Sequence, residues 1–160
     1  MTVFLPCLLE RWCPQVGETA RADDGARRFN NWADVRRDVV RNLEWLLNTE
    51  QPSTLAGVAP LPPAVQASVL CYGIPAYSGK VQSAFKVEDL AWAIRERIIA
   101  FEPRIEAATL SVTAVDPQGG GHFNRMRFTI HGYLRADPLP IEFQVQSELD
   151  MESGSARVIG

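Results

Sequence analysis

Long hydrophobic runs, an excess of positive charge and histidine are all missing or scarce in this sequence, and each shortage excludes a class of function. No segment approaches the roughly 20 apolar residues that a membrane-spanning helix needs, so direct membrane insertion is not expected. The net charge of −3 gives no sign of a nucleic-acid partner. The two histidines, His122 and His131, have no cysteine or carboxylate at ligand spacing, which argues against a metal site.

The cysteine pattern and the N-terminal residues are typical of a cytoplasmic protein. Cys7, Cys13 and Cys71 are odd in number and form no C-x-x-C pair, so reduced thiols are expected. The first residues carry no basic leader, and Pro6 interrupts their apolar run. A secretory signal is therefore not expected.

The clearest periodic signal lies in the second half of the chain. Six apolar residues recur there at the spacing of one helix face: Val87, Leu90, Ala91, Ile94, Ile98 and Phe101. Because proline lacks an N–H and biases the preceding residue away from helix, Pro103 predicts an end at Phe101 or Glu102. Glu102 and Arg104 then flank a stiff residue at the end of the best core helix.

A second helix is predicted from Trp32, with Asn31 as its N-cap. Its expected buried face consists of Val35, Val39, Leu43, Leu46 and Leu47. Its expected polar side, solvated or facing a partner, consists of Arg36, Arg37, Asp38, Arg41 and Glu44. Asp34 with Arg37, and Asp38 with Arg41, are i,i+3 pairs. Asn48 is interpreted as a left-handed stop.

A short helix from about Pro63 to Leu70 is predicted next, because proline suits a first helical turn. Gly73 and Pro75, in the phrase Tyr72-Gly73-Ile74-Pro75, are expected to end it.

After Ile105 the hydrophobic period changes to two. Leu110, Val112 and Ala114 alternate with polar residues, and two longer alternating runs and a short Ala156–Ile159 strand follow. The expected inward residues of the longer runs are Met126, Phe128, Ile130, Gly132 and Leu134, then Ile141, Phe143, Val145 and Leu149. If the hairpin between these runs closes around residues 136–139, Arg127 lies near Glu148 and Arg125 near Asp150. The predicted fold class is α+β, a single domain with N-terminal helices packed on one face of a small antiparallel β meander.

Catalytic patterns are weak. Gly119-Gly120-Gly121 lacks the context of a phosphate cradle, so no cofactor is expected. A glycosidase needs one protonated and one ionised carboxylate, and Glu102 is the candidate acid. The nearby Arg104 cation favours the ionised form instead. The alternative from the residues alone is an internal ion pair, or a pair of caps, that locks the helix-to-strand corner.

Three phrases in order now carry a resemblance: Arg37 to Thr49, Ser68 to Pro75, and Phe101-Glu102-Pro103-Arg104-Ile105, with Leu8-Leu9-Glu10-Arg11 before them. Together they resemble the TssE family of type VI secretion baseplate proteins. That family is similar to a phage baseplate wedge protein that is "lysozyme-like" in name only. The resemblance covers about residue 8 to the C-terminus. Residues 1–30 are interpreted as an N-terminal arm and flexible loop, because Cys13 to Arg28 is rich in Pro, Gly, Asp and Arg, and residues 31–160 are interpreted as the wedge domain.

The resemblance implies a non-enzymatic, cytoplasmic role in the membrane-docked baseplate wedge. The implied partners are TssF, TssG and TssK, and the contractile sheath proteins TssB and TssC, whose strands an open sheet edge could accept. The expected partner-binding residues are Glu102, Pro103, Arg104, Arg37 and Arg41, and the expected structural residues are Asn48, Tyr72, Gly73 and Pro75. The alternatives are a peptidoglycan hydrolase and a wedge protein of a phage-derived contractile particle.

Overall fold

Helices precede strands along the chain. The computed structural model describes residues 32–52, 61–66, 68–77, 86–115, 125–136 and 139–159. The described helices are α1 (Trp32–Leu47), α2 (Pro63–Gln66) and α3 (Val87–Phe101), with a 3-10 turn at Val69–Cys71. The described strands are β1 (Ser111–Val115), β2 (Arg125–Leu134), β3 (Ile141–Asp150) and β4 (Ala156–Ile159). The predicted α+β class is confirmed.

The four strands form one sheet in the order β1-β2-β3-β4, and every neighbouring pair is antiparallel. The predicted register is confirmed, because Arg125 pairs with Asp150 and Arg127 with Glu148. The Glu148 carboxylate accepts hydrogen bonds of 3.0 Å from Arg127 and 2.9 Å from Arg125. The bond from Arg127 and the charges of both arginines hold the pKa of Glu148 below its usual value.

One face of this sheet is buried. In β2 every second residue from Met126 to Leu134 is buried, and in β3 the buried positions are Phe143, Val145, Ser147 and Leu149. The predicted alternation is confirmed for both long strands. Helix α3 ends at Phe101, as Pro103 predicted, and it buries four of the six stripe residues, Leu90, Ala91, Ile94 and Ile98, whereas Val87 and Phe101 are half-buried.

Helix α1 begins at Trp32 and buries the five predicted residues; Asn31, its expected cap, lies outside the described residues. The salt bridge between Asp34 and Arg37 is present at 3.2 Å. The assignment of Asp38 to the polar side was wrong, since its exposed fraction is 2%. A 3.6-residue period places both position 38 and Val39 next to Val35, so Asp38 lies on the flank of the buried stripe.

Two further predictions need correction. Helix α2 ends at Gln66, and Ser68 opens a separate 3-10 turn by accepting a hydrogen bond from the Leu70 N–H. In β1 the apolar alternation does not mark a buried face, because Ala114 is exposed although it points the same way as the core residues of β2. As an edge strand among the described residues, β1 lies at the border of the core.

The Cα positions group residues 40–160 into one compact unit and residues 1–39 into another, with the boundary inside α1. The sheet, α3 and the C-terminal half of α1 all belong to the first of these units. The predicted boundary at residue 30 lies outside the described residues and stays a prediction.

A candidate docking corner after helix α3

The corner that follows α3 is closed by a two-pronged ion pair. The Arg104 guanidinium donates from Nε to Glu102 Oε1 and from Nη2 to Glu102 Oε2, both at 2.6 Å. The Arg104 backbone N–H also lies 3.3 Å from Oε1. The exposed fraction of the Glu102 side chain is 3% and that of Arg104 is 24%. Charge-assisted bidentate pairs of this kind fix geometry as well as adding energy.

The corner is also tied to the sheet. The Glu102 N–H continues the helix ladder to the Ile98 carbonyl at 2.8 Å. The Arg104 carbonyl accepts from the Arg135 N–H, and the Glu106 N–H donates to the Tyr133 carbonyl, each at 2.8 Å. The segment after α3 therefore pairs with the end of β2, which leaves the corner little freedom to move.

Residues from two other segments support the corner from the side. Asn42 of α1 lies 3.5 Å from Glu102 Oε2 through its Nδ2. The ring of Tyr72 meets the ring of Phe101 edge to face at 5.1 Å, and its hydroxyl lies 3.4 Å from the Asn42 carbonyl. Tyr72, one of the expected structural residues, thus connects two helices.

This geometry decides what each corner residue can offer a partner. Pro103 is exposed, and the Arg104 side chain reaches the surface. The Glu102 carboxylate is buried, and Arg104 donates to both of its oxygens. A general acid must have a proton to give away and a path to its substrate, whereas both oxygens of this buried carboxyl group accept hydrogen bonds from Arg104. The internal ion pair considered from the sequence is present, and partner binding by the corner stays a prediction.

The two other arginines predicted to bind partners lie on α1. Arg37 is exposed and bonds to Asp34 on its own helix. The guanidinium of Arg41 lies over the Trp45 ring, 5.3 Å from its centroid, which is a cation–π contact. Trp45 is itself exposed. Arg37 is exposed and Arg41 is half-buried, and their partner role stays a prediction.

Asn48 joins the end of α1 to the start of β4. Its Nδ2 donates to the Glu44 carbonyl at 2.7 Å and to the Ala156 carbonyl at 2.8 Å, while its Oδ1 accepts from the Ala156 N–H at 2.9 Å. The left-handed conformation predicted for Asn48 was wrong, since no described non-glycine residue has a positive φ. The side chain satisfies the end of the helix directly, so that backbone conformation is not needed.

Gly73 forms a second joint. Its φ is +111°, and a Cβ atom there would lie 2.3 Å from the Thr49 carbonyl oxygen. This close approach lets the Ile74 N–H donate to the Thr49 carbonyl at 2.9 Å and the Gln51 N–H donate to the Ile74 carbonyl at 3.0 Å. Residues 49–51 and 74 therefore form a parallel clasp. Pro75 follows it and is half-buried.

Tyr77, just beyond the clasp, donates its hydroxyl to the Gly154 carbonyl at 2.9 Å. Burial and, secondarily, the charge of Asp150 raise the pKa of Tyr77 to about 12. No pattern in the sequence distinguishes this tyrosine from Tyr72 and Tyr133.

Sequence reasoning also missed Asn42 and Arg95. Arg95 donates from Nε to the Leu110 carbonyl at 3.0 Å and lies 3.4 Å from the Ala107 carbonyl through Nη2. An asparagine inside a helix has low propensity, which is a weak signal that could have singled out Asn42. The pattern of charges on α3 contains no comparable signal for Arg95.

Comparison with known families identifies the family of this chain. A family model described as baseplate wedge protein gp25 matches residues 33–139. The chain belongs to this family. The match includes all three phrases that carried the resemblance, from α1 through the corner to the turn after β2, so the resemblance is confirmed. Searches of curated proteins and of solved structures found no match.

Among the described residues, no helix is both long enough and apolar enough to cross a membrane. Within the same ranges, no three histidine, cysteine, aspartate or glutamate side chains cluster in a way that could hold a metal ion.

Proposed function

We propose that this protein is the TssE-type subunit of a type VI secretion baseplate wedge. In this role it links the wedge proteins TssF, TssG and TssK to the TssB/TssC sheath and initiates sheath assembly. Its role as a baseplate wedge protein follows from the family match over residues 33–139. We further propose that it acts in the cytoplasm and that it has no catalytic role.

The observation that carries the proposal is the closed corner after α3. A bidentate ion pair and the pairing with β2 fix the position of Pro103, which is exposed beside the partly exposed Arg104. A rigid surface feature costs less entropy to dock than a mobile one. We propose that Pro103 and Arg104 contact a wedge partner directly, and that Glu102 acts by holding Arg104 in place. We propose that Arg37 and Arg41, which lie on α1, also contact a partner.

The sheet supports the second half of the proposal. Its order leaves β1 and β4 at the two edges of the described sheet. The unpaired backbone groups of an edge strand can bind an extended segment of another protein by strand addition. We propose that strands of the first sheath subunits bind in this way.

A deletion strain carrying fluorescent TssB tests the role directly. We expect no sheath assembly without this protein and normal assembly when the wild-type gene is restored. Sheaths that assemble at normal frequency in the deletion strain would contradict the proposal. In parallel, purified protein and its Glu102→Gln variant should show no muralytic activity; turnover that the substitution abolishes would favour the hydrolase alternative.

The family match fits a wedge protein of a phage-derived contractile particle equally well, because its description names a baseplate wedge protein and no secretion system. The genes on either side of this one discriminate the two. Effector and membrane-complex genes nearby favour the secretion system, whereas capsid or tail-fibre genes favour the particle.

A further inference from the structure

The two edges of the sheet differ in which backbone groups they leave open. Successive residues of a strand direct their N–H and C=O groups to opposite sides. In β2 the N–H and C=O of Tyr133 point toward the β1 side, where they bond to Thr109 Oγ1 and the Glu106 N–H. By the same alternation and the observed register, the groups of Val112 and Ala114 point outward from β1. No described residue bonds to them.

Arg95 marks where the open part of the β1 edge begins. Its guanidinium donates to the carbonyl of Leu110, which is the outward-facing residue before Val112, and lies near the carbonyl of Ala107. The Arg95 guanidinium therefore lies on the outward side of Leu110, where an incoming strand would have to displace it to pair with this residue. The open stretch of the described edge therefore consists of Val112 and Ala114.

The β4 edge is already blocked at its first outward residue. The Asp150 N–H donates to the Ser155 carbonyl at 2.9 Å, so Ser155 faces β3 and Ala156 faces outward. Asn48 takes both the N–H and the C=O of Ala156. Among the described residues, only Val158 remains as an outward-facing position on β4.

The side chains of the two edge strands also favour β1 over β4 as the edge that pairs with another chain. The sequence of β1, Ser-Val-Thr-Ala-Val, contains no charge, whereas β4 carries Arg157. Charged side chains on an edge discourage pairing with another chain. Val112 and Ala114 also lie opposite Ile130 and Phe128, on the buried face of the sheet, yet Val112 is only half-buried and Ala114 is exposed. The core face thus continues to this edge without full cover.

We infer that β1, and not β4, accepts the incoming strand, and that the occupant is an extended, uncharged segment of a sheath subunit with apolar side chains on the core face. This inference rests on the proposed function. The added strand pairs with Val112 and Ala114 and stops opposite Leu110, because Arg95 holds that carbonyl. Arg95 therefore sets the register of the added strand.

Proline substitutions separate the two edges. Ala114→Pro removes an outward N–H without touching the bonds between β1 and β2, and Val158→Pro is the matched change on β4; proline is tolerated on edge strands in this orientation. The probe is a purified TssB–TssC heterodimer from the same organism. We expect Ala114→Pro to weaken its binding by about tenfold or more and Val158→Pro to change it by less than about twofold. Circular dichroism and melting curves verify that both variants fold.

Each outcome decides one of the two ideas. The assignment to β1 is overturned if only Val158→Pro loses binding, if both variants lose it, or if neither variant loses it. Wild-type protein that fails to bind the heterodimer at all overturns the sheath link itself. If Ala114→Pro does not fold, amide hydrogen exchange on the wild-type protein decides instead. The N–H groups of Val112 and Ala114 should exchange quickly in the free protein and slowly in the complex, and unchanged exchange at both positions overturns the inference.

Discussion

Replacing Arg104 by alanine tests whether the corner is held by its ion pair. The change removes both 2.6 Å bonds to Glu102 and leaves a carboxylate with an exposed fraction of 3% without its cation. Removing one partner of a buried pair costs about 3–5 kcal/mol, mostly because the remaining charge is still buried. For a domain of this size that corresponds to a fall of about 6–20 °C in the melting temperature.

The assay is thermal and urea-induced unfolding followed by circular dichroism, with Arg125→Ala as the matched control. Arg125 also pairs with a glutamate, Glu148, at 2.9 Å, but the exposed fractions of the two side chains are 46% and 20%, so the carboxylate left behind is less buried than Glu102. An exposed pair contributes about 0–1 kcal/mol, so the control should melt close to the wild type. A double variant, Glu102→Leu with Arg104→Leu, should lose less stability than Arg104→Ala, because no buried charge is left behind.

A melting temperature for Arg104→Ala within about 2 °C of the wild type would refute this reasoning, because 1 kcal/mol shifts the midpoint by about that much. The binding of wedge proteins provides a second readout. If Arg104→Ala lowers stability strongly but the folded variant still binds TssF and TssG normally, the pair is only structural. The docking role of Arg104 would then be wrong.

Gly73, Asn48 and the buried Tyr77 each lead to one further prediction. Gly73→Ala should cost at least about 2 kcal/mol of unfolding free energy, through the positive φ and the clash with the Thr49 carbonyl; a urea midpoint equal to that of the wild type would contradict this account. Asn48→Ala should cost about 1–3 kcal/mol and should speed amide exchange at Ala156, whereas unchanged exchange there would show that the side chain does not hold β4. Since burial raises the pKa of Tyr77 to about 12, the unfolded state loses this proton first, near pH 10. Stability should therefore fall as the pH rises from 10 to 12, and Tyr77→Phe should lessen that fall in melting curves; an equal fall in both proteins would refute the assignment.

Patterns that depend on a strict period were predictable from the sequence. The α3 stripe, the alternation of β2 and β3 and the pairing of Arg125 and Arg127 with acidic residues all follow from periods of 3.6 and 2. The end of α3 was predictable because Pro103 acts through covalent geometry, which does not depend on tertiary contacts.

Features that depend on contacts distant in sequence were not predictable. Asn48 bonds to Ala156, which lies 108 residues away, and this contact replaces the left-handed stop expected from local preference. Asp38 lies at the border of a stripe, where the period alone cannot separate buried from exposed. Arg95 reaches carbonyls beyond the end of its helix. The tertiary fold determines which atoms Asn48 and Arg95 bond to, and it determines the burial of Asp38.

The clasp between residues 49–51 and Ile74 determines how well the chain between its two ends tolerates insertions. Both ends of the intervening segment are bonded to each other at its base, through the Ile74 N–H and the Gln51 N–H. The free energy of closing a loop rises only with the logarithm of its length, by about 0.6 kcal/mol for each doubling. Lengthening the segment between the two ends of the clasp should therefore cost little stability, which makes that segment a suitable position for a reporter tag that follows the protein into the assembled baseplate.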